Sequence, residues 1–302
     1  MGGEVIYRNW RPGDEEGIVK LLPKEWCQGC ACYMGKPGGS LKPENIFLAV
    51  SEGRIVGHAI GRVDPVFVEG EVKRFGWIET VIVAPEMRGR GIGSELIRRA
   101  IRYLEGEGCR GILLTAKKGS PAHRMYEKLG FRDLAVGIFT LLRPMKGDSK
   151  VKLTPAEPSD VDEMRKLKDR WMRRVFPVIH HPFDLPVDKL PPRIVSTILS
   201  KHRVFRRGDE VVGYTRWSRA REYPGVRDPV AVGEDVEEMV RAVRTSVETP
   251  VFWHTTAGSR YEAYLRSLGC QFELDDEVIM LRPIGRDIDL GDMEVTYWGI
   301  YW

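Results

Sequence analysis

The 302-residue chain predicts a mixed α/β fold, an α+β mixed sheet, present twice as two tandem domains. Three observations carry that expectation. The length exceeds what one hydrophobic core usually organises. Residues 77–104 run from a β-branched segment through a glycine-rich turn into a helical pattern, the arrangement of an α/β unit. Short motifs of the first half also return, in the same order, in the second.

The repetition can be followed residue by residue. Leu129-Gly130-Phe131 precedes Leu141-Leu142-Arg143-Pro144, and Leu268-Gly269-Cys270 precedes Met280-Leu281-Arg282-Pro283. Arg143 stands thirteen positions after Gly130, as Arg282 does after Gly269, and Ser120 and Ser259 each stand ten positions before their glycine. Pro12-Gly13-Asp14 and Pro158-Ser159-Asp160 open the first helix of each half, and Arg54-Ile55-Val56-Gly57 has its counterpart in Glu210-Val211-Val212-Gly213. The polar stretch Met145–Lys150 is the expected linker, giving domains 1–147 and 148–302.

The first half reads βαβββαβαβ. Val5–Tyr7 predicts a strand, and Asp14 is the expected cap of a helix running to about Leu22. Residues 24–45 are irregular, rich in glycine and proline. Asn45–Ser51 and Arg54–Val63 form a hairpin about Glu52-Gly53, and Lys73–Val83 supplies the next strand. Its β-branched end at Ile78–Val83 predicts little exposed surface, and Ala84-Pro85 ends it because proline has no N–H for a ladder. Leu96, Ile97, Ile101 and Leu104 mark the helix from Ser94, Gly111–Thr115 a short buried strand, Ser120–Leu129 a second helix and Ile138–Arg143 the closing strand.

The turn Arg88-Gly89-Arg90-Gly91-Ile92-Gly93 between strand and helix has the makings of an anion site. A helix start presents N–H groups without partners, its dipole favours negative charge, and glycines let a pyrophosphate approach the backbone. No Gly-Lys-Ser/Thr follows, so it is not a P-loop, and the spacing is not the G-x-G-x-x-G of a dinucleotide fold.

Arg88-x-x-Gly91-x-Gly93 after a V-x-V-x-P strand resembles the acetyl-CoA-binding motif of the GNAT superfamily of N-acetyltransferases. Ala122-x-x-x-Tyr126-x-x-x-Gly130-Phe131 is similar to a second motif of that family. The resemblance implies the mixed sheet described above and acetyl-CoA as acetyl donor. It implies pyrophosphate binding at the N–H groups from Gly89 to Ser94 (Gly89, Arg90, Gly91, Ile92, Gly93, Ser94), with charge from Arg88 and Arg90. It also implies pantetheine pairing with the backbone of Val81, Ile82 and Val83. The family's asparagine three residues before the matched alanine is Gly119 here, so that contact is absent or comes from Ser120.

The implied reaction needs a base, because an ammonium has no lone pair, and an acid for the leaving thiolate. Glu79 is the candidate base, the one acid inside an apolar strand, where partial burial would raise its pKa. The same residue could instead be an outward-facing glutamate on a solvated strand face. Tyr126, by its match to the family's tyrosine, is the candidate acid, against the alternative of a core tyrosine with a satisfied hydroxyl.

In the second half the turn reads Arg221-Glu222-Tyr223-Pro224-Gly225-Val226-Arg227-Asp228-Pro229, with no paired glycines. Asp235, Glu237 and Glu238 crowd a helix start expected near Glu234, and Leu265 takes the place of Tyr126. A degenerate copy that does not bind CoA is expected. The reading is therefore an N-acetyltransferase that moves an acetyl group to a primary amine, on a small molecule or a protein, by direct attack. The alternatives are a protein N-terminal or lysine acetyltransferase, and a CoA-binding sensor or scaffold without turnover.

Other features bound the partners. The net charge of +4 gives no argument for nucleic acid, although residues 165–207 hold twelve Lys/Arg against Asp169, Asp184 and Asp188, with His180, His181 and His202. No apolar run is long enough to span a membrane, and there is no charged-then-apolar leader pattern. Five cysteines do not make a disulfide framework, so a cytoplasmic location is expected. Cys27, Cys30 and Cys32 could form a local disulfide or bind zinc with a fourth ligand, but unligated loop cysteines are the default and no metal is expected. Only two Asn and two Gln amid abundant charge fit a heat-adapted source. The aromatic tail Val295–Trp302 is expected to pair as a strand or cover an apolar face, within the chain or across a homodimer.

Overall fold

In the computed structural model, residues 4–22, 37, 41–177, 186–220, 223–233 and 235–296 are described. Cys27, Cys30, Cys32, His180, His181, Arg221, Glu222, Glu234 and the tail beyond Thr296 lie outside them. The chain forms two compact units that do not divide at a single point. The first comprises Met1–Pro65, Lys73–Asp133 and Ile279–Ile288; the second comprises Val66–Val72, Leu134–Val278 and Asp289–Trp302.

The first unit is built from β1 (Val5–Asn9), α1 (Glu15–Leu21), β2 (Ile46–Ser51), β3 (Arg54–Val68, up to Pro65), β4 (Glu71–Val83, from Lys73), α2 (Ile92–Gly106), β5 (Gly111–Lys117) and α3 (Pro121–Lys128). Its sheet runs β1-β2-β3-β4-β5 and is completed by residues 279–283, from the end of β14 (Glu273–Pro283). The hairpin strands are longer than the sequence suggested: β3 reaches Val68, and Glu69 and Gly70 make the turn at φ +52° and +79°. Asp14 stands at the start of α1 but does not cap it. Its carboxylate accepts from Arg8 at 2.6 and 2.7 Å and from the Arg11 N–H at 2.7 Å. An arginine one strand away outcompetes the helix for the same oxygens.

α2 lies tightly against this sheet. Leu96, Ile97, Ala100, Ile101 and Leu104 recur at helical spacing and are all buried, each larger side chain contributing about 1.5–3 kcal/mol by leaving water. Gly57 of β3 allows the approach, since a β-carbon there would stand 3.0 Å from Leu96 and 3.1 Å from Ile92 and Ala49.

The second unit holds β6 (Arg132–Leu142), β7 (Lys152–Pro155), α4 (Val161–Trp171), β8 (Val175–Phe176), α5 (Pro192–Lys201), β9 (His202–Arg207), β10 (Glu210–Ala220), β11 (Tyr223–Arg227), β12 (Val230–Ala231), α6 (Val236–Thr245), β13 (Val251–Thr256), α7 (Arg260–Ser267) and β15 (Glu294–Val295). Within it the order is β6-β13-β11-β10-β9-β7, with β12 on β10. β6 runs antiparallel to β13, from Val251↔Leu142 to Thr256↔Gly137. Two apolar clusters support the sheet: Val161, Met164, Leu167 and Trp171 of α4 meet Tyr214 and Val230, while Met239, Val240 and Val243 of α6 meet Trp253, Tyr261 and Leu265.

The helices α3 and α7 share their local structure. Ser120 caps α3, accepting the His123 N–H at 3.1 Å, and Ser259 caps α7, accepting the Glu262 N–H at 3.2 Å. Each of these eight-residue helices ends at a leucine followed by a glycine, Gly130 at φ +87° and Gly269 at φ +79°, and then an eleven-residue strand. The strand after α3 gives residues 134–142 to the second unit, and the strand after α7 gives residues 279–283 to the first. The basic stretch 165–207 is largely engaged: Lys168 is fully buried, Arg206 holds Asp160 at 2.8 Å, Lys166 holds Glu163 at 3.1 Å, and Arg203 lies over Trp217. Among the described residues no helix is long and apolar enough to cross a membrane.

Candidate active site

The site is built on the last turns of β4 and the helix that follows. β4 pairs in parallel with β5 at Gly76↔Ile112 and Trp77↔Leu113. Trp77 and Ile78 are buried, whereas Glu79 to Val83 are all half-buried. The expected low exposure therefore holds only for the first part of this run. Past Trp77 the strand has no β5 ladder beside it, and Val81, Ile82 and Val83 are half-buried.

Thr80 interrupts the strand with φ +52°, a backbone angle that a β-branched residue rarely adopts. The His58 ring donates from Nδ1 to the Thr80 carbonyl at 3.2 Å. Ala84 donates its N–H to Val56 at 2.9 Å and re-joins β4 to β3.

Pro85–Met87 then makes one turn of 3₁₀-helix, and Arg88 donates from Nε to the Val83 carbonyl at 3.1 Å. Gly89 (φ +77°) and Gly91 (φ +79°) both need glycine, and a β-carbon on either would find nothing within 4 Å. α2 begins at Ile92, two residues before the sequence expectation, with Gly91 as an N-cap that offers no side chain. The first bond back is from Glu95 N–H to Gly91 at 3.0 Å, so the N–H groups of Ile92, Gly93 and Ser94 have no carbonyl within the helix. The guanidinium of Arg90 is exposed beside them. A β-carbon on Gly93 would lie 3.6 Å from Met125 Sδ and 3.7 Å from Val83 Cγ2, so strand end, helix start and α3 converge here.

Glu79 is 22% exposed and accepts from Arg62 Nη1 at 3.3 Å. Arg62 Nε in turn donates to Asp64 at 2.7 Å. Burial pushes the Glu79 carboxyl above its ordinary range; Arg62 opposes this, Asp64 adds to it, and the net direction is up. Tyr126 on α3 is 5% exposed, its ring 6.1 Å from that of Phe131. Burial raises its hydroxyl to about 12. Among the described residues no hydrogen bond to that hydroxyl is seen.

Ser120 spends a lone pair on capping α3, and Gly119 beside it has φ +71°. The His123 ring, one turn along, is held by Asp133 at 2.7 Å. Sequence reasoning missed His58, Arg62 and Asp64. Arg62-x-Asp64 carries a weak signal, opposite charges on one face of a strand. His58, a lone histidine in an apolar strand, carries none.

A strand freed from its neighbour, a glycine turn and an uncapped helix start define an acyl-CoA-binding α/β domain. Residues 19–131 match the family model described as Acetyltransferase (GNAT) family. Over 136 residues the chain is 35% identical to N-alpha-acetyltransferase MAK3 of Arabidopsis thaliana, a match spanning 43% of this chain and 67% of that protein. It is 39% identical over 88 residues to glucosamine 6-phosphate N-acetyltransferase of Trypanosoma brucei brucei, covering 29% of this chain and 57% of that protein. A crystal structure of a GCN5-related N-acetyltransferase from Anabaena variabilis shares the fold, with TM-score 0.66 and 16% identity over 93% of this chain and 73% of that one. The chain belongs to the GNAT acetyltransferase family.

Acetyl-CoA is the donor this family uses, and the residues fit it. The unfilled N–H groups of Ile92, Gly93 and Ser94, with open space at Gly89 and Gly91, suit a diphosphate. Arg88 and Arg90 add positive charge at the same turn.

Proposed function

We propose that the chain is an N-acetyltransferase moving an acetyl group from acetyl-CoA to an amine by direct attack. The observation that carries this reading is Glu79, a half-buried carboxyl with a raised pKa beside the freed end of β4. The raised pKa makes Glu79 a better base than an exposed glutamate, and Glu79 takes a proton from the acceptor ammonium, directly or through a water. Bound acetyl-CoA would supply the activated carbonyl and a thiol leaving group. The N–H groups of Val81, Ile82 and Val83 hold the pantetheine arm and polarise the carbonyl oxygen. Tyr126 protonates the departing sulfur. Ile92, Gly93 and Ser94 hold the diphosphate through their N–H groups, with Gly89 and Gly91 giving it room and Arg88 and Arg90 neutralising it.

The acceptor class is an amine on a small molecule or a protein. Relatives are named as a glucosamine 6-phosphate N-acetyltransferase and as an N-alpha-acetyltransferase, so amino sugars and α-amino groups both belong in the screen. In this reading the second half is a degenerate copy that shapes or supports the first domain and takes no CoA.

Steady-state transfer from acetyl-CoA to amino sugars and to free-N-terminus peptides tests the assignment. Glu79→Gln should lower kcat by about 10²–10⁴-fold with acetyl-CoA binding kept, and Tyr126→Phe should lower it less. Binding without transfer to any acceptor, unchanged by either substitution, would point instead to a CoA sensor.

A further inference from the structure

We propose that His58 is a positioning residue for acetyl transfer: its ring pins the Thr80 carbonyl and so holds the kink in β4 that sets Glu79 against the N–H groups of Val81 to Val83. The inference rests on the roles given to those residues above.

Thr80 has no local reason for its conformation. At φ +52° its β-carbon crowds the backbone, and its hydroxyl is buried without a hydrogen-bond partner among the described residues. The hold comes from the neighbouring strand. His58 is fully buried in β3, opposite Leu48 of β2, and its Nδ1 lies 3.2 Å from the Thr80 carbonyl. A carbonyl only accepts, so Nδ1 carries the proton and the neutral ring leaves a bare lone pair on Nε2. Nε2 is buried and finds no partner among the described residues. Burial lowers the His58 pKa to about 4, so the donor tautomer persists through the physiological range.

Stability alone would favour other residues. A leucine at 58 would bury no orphaned nitrogen, and a glycine at 80 would take φ +52° without strain. A strained, β-branched residue held by a buried histidine is instead the pattern of backbone fixed for function. The kink also abolishes strand alternation, because Glu79 through Val83 are uniformly half-buried rather than alternating. The base and the N–H groups of Val81 to Val83 can then face the same bound thioester.

The test uses the full chain with His58→Leu, His58→Asn, Thr80→Gly and His58→Leu/Thr80→Gly. His58→Leu removes the donor and should lower kcat by about 10- to 100-fold, while acetyl-CoA still binds by calorimetry through the grip at 88–94, more weakly because Val81 to Val83 no longer hold the pantetheine arm in place. His58→Asn, whose amide N–H can stand where Nδ1–H stands, should keep kcat within about threefold of wild type. In the Thr80→Gly background, losing His58 should cost less than about threefold, since glycine needs no restraint. Wild-type rates in His58→Leu, or equal losses in both backgrounds, would overturn the proposal. A crystal structure of His58→Leu gives a readout independent of turnover: Thr80 should return to an extended φ, and Thr80 still at positive φ would refute the pin. If the wild-type chain transfers acetyl to nothing while that structure shows the kink released, the functional reading fails and the pin stands.

Discussion

At the start of α2 the first unit leaves three N–H groups unfilled behind Gly91, whereas at the start of α6 the second unit fills one of its own with a carboxylate. Asp235 caps α6 through its carboxylate, accepting the Glu237 N–H at 2.8 Å, and Glu237 and Glu238 follow in the first turn. The same end of a helix is thus open in one unit and lined with carboxylates in the other, which favours an anion at the first and opposes one at the second. The strands before the two helices differ as well. Aligned on Gly130 and Gly269, Leu113 falls on Phe252. Leu113 pairs with Trp77 and Phe252 with Gly225, so Glu79 falls on Arg227. A cation stands where the first unit has its carboxyl. Leu265, at the place of Tyr126, is fully buried. A helix dipole is common to both units, so the side chains at its mouth decide what it binds.

The largest effect expected from breaking this contrast is at Gly91. Gly91→Glu puts a carboxylate at the helix mouth and a β-carbon at φ +79°, and acetyl-CoA binding by calorimetry should be lost. A circular dichroism melt separates that loss from unfolding, the strain itself costing about 1–2 kcal/mol.

Next comes the pH dependence of transfer. Glu79 must be ionised to act, so kcat/KM should fall as pH drops through a pKa above the ordinary glutamate range. Arg62→Gln removes the cation 3.3 Å away and should move that acidic limb to higher pH; a limb that stays put would remove Glu79 from the base role.

Asp228 sharpens the comparison from the second unit. It is buried, accepts from Trp253 Nε1 at 2.7 Å and Thr255 Oγ1 at 2.6 Å, and is pushed up to about 7 by burial. Between the unfolded value near 3.8 and about 7 the native state holds a proton that the unfolded state has lost. Stability should therefore fall as pH rises through that window, by roughly 4 kcal/mol in full. Asp228→Asn should flatten the fall, since Thr255 can turn its hydroxyl to accept; denaturant midpoints at pH 5 and pH 8 read it directly.

The smallest effect is at the cap. Asp235→Ala should cost about 1 kcal/mol of stability and create no CoA site, because Glu237 and Glu238 remain.

Much of the first unit was legible because its signals are local. The glycine turn, the proline stop and the spacing of Leu96, Ile97, Ile101 and Leu104 each act within a few residues. The repeat places Ser120 and Ser259 alike, and each caps the helix that follows it. Long-range competition was not legible. Asp14 had the sequence of a helix cap, but Arg8 takes its oxygens. The kink at Thr80 has no sequence mark, since threonine ordinarily favours an unbroken strand. His58, Arg62 and Asp64 enter the site only through the pairing of β3 with β4. The placement of residues 134–142 and 279–283 in opposite units is likewise a pairing choice that strand propensity cannot express.

One measurement tests the contrast most directly: calorimetric titration of the full chain with acetyl-CoA, read for stoichiometry. One site per chain, abolished by Gly91→Glu, is the predicted result. Two sites, or one that survives the substitution, would contradict the division of labour between the two helix starts.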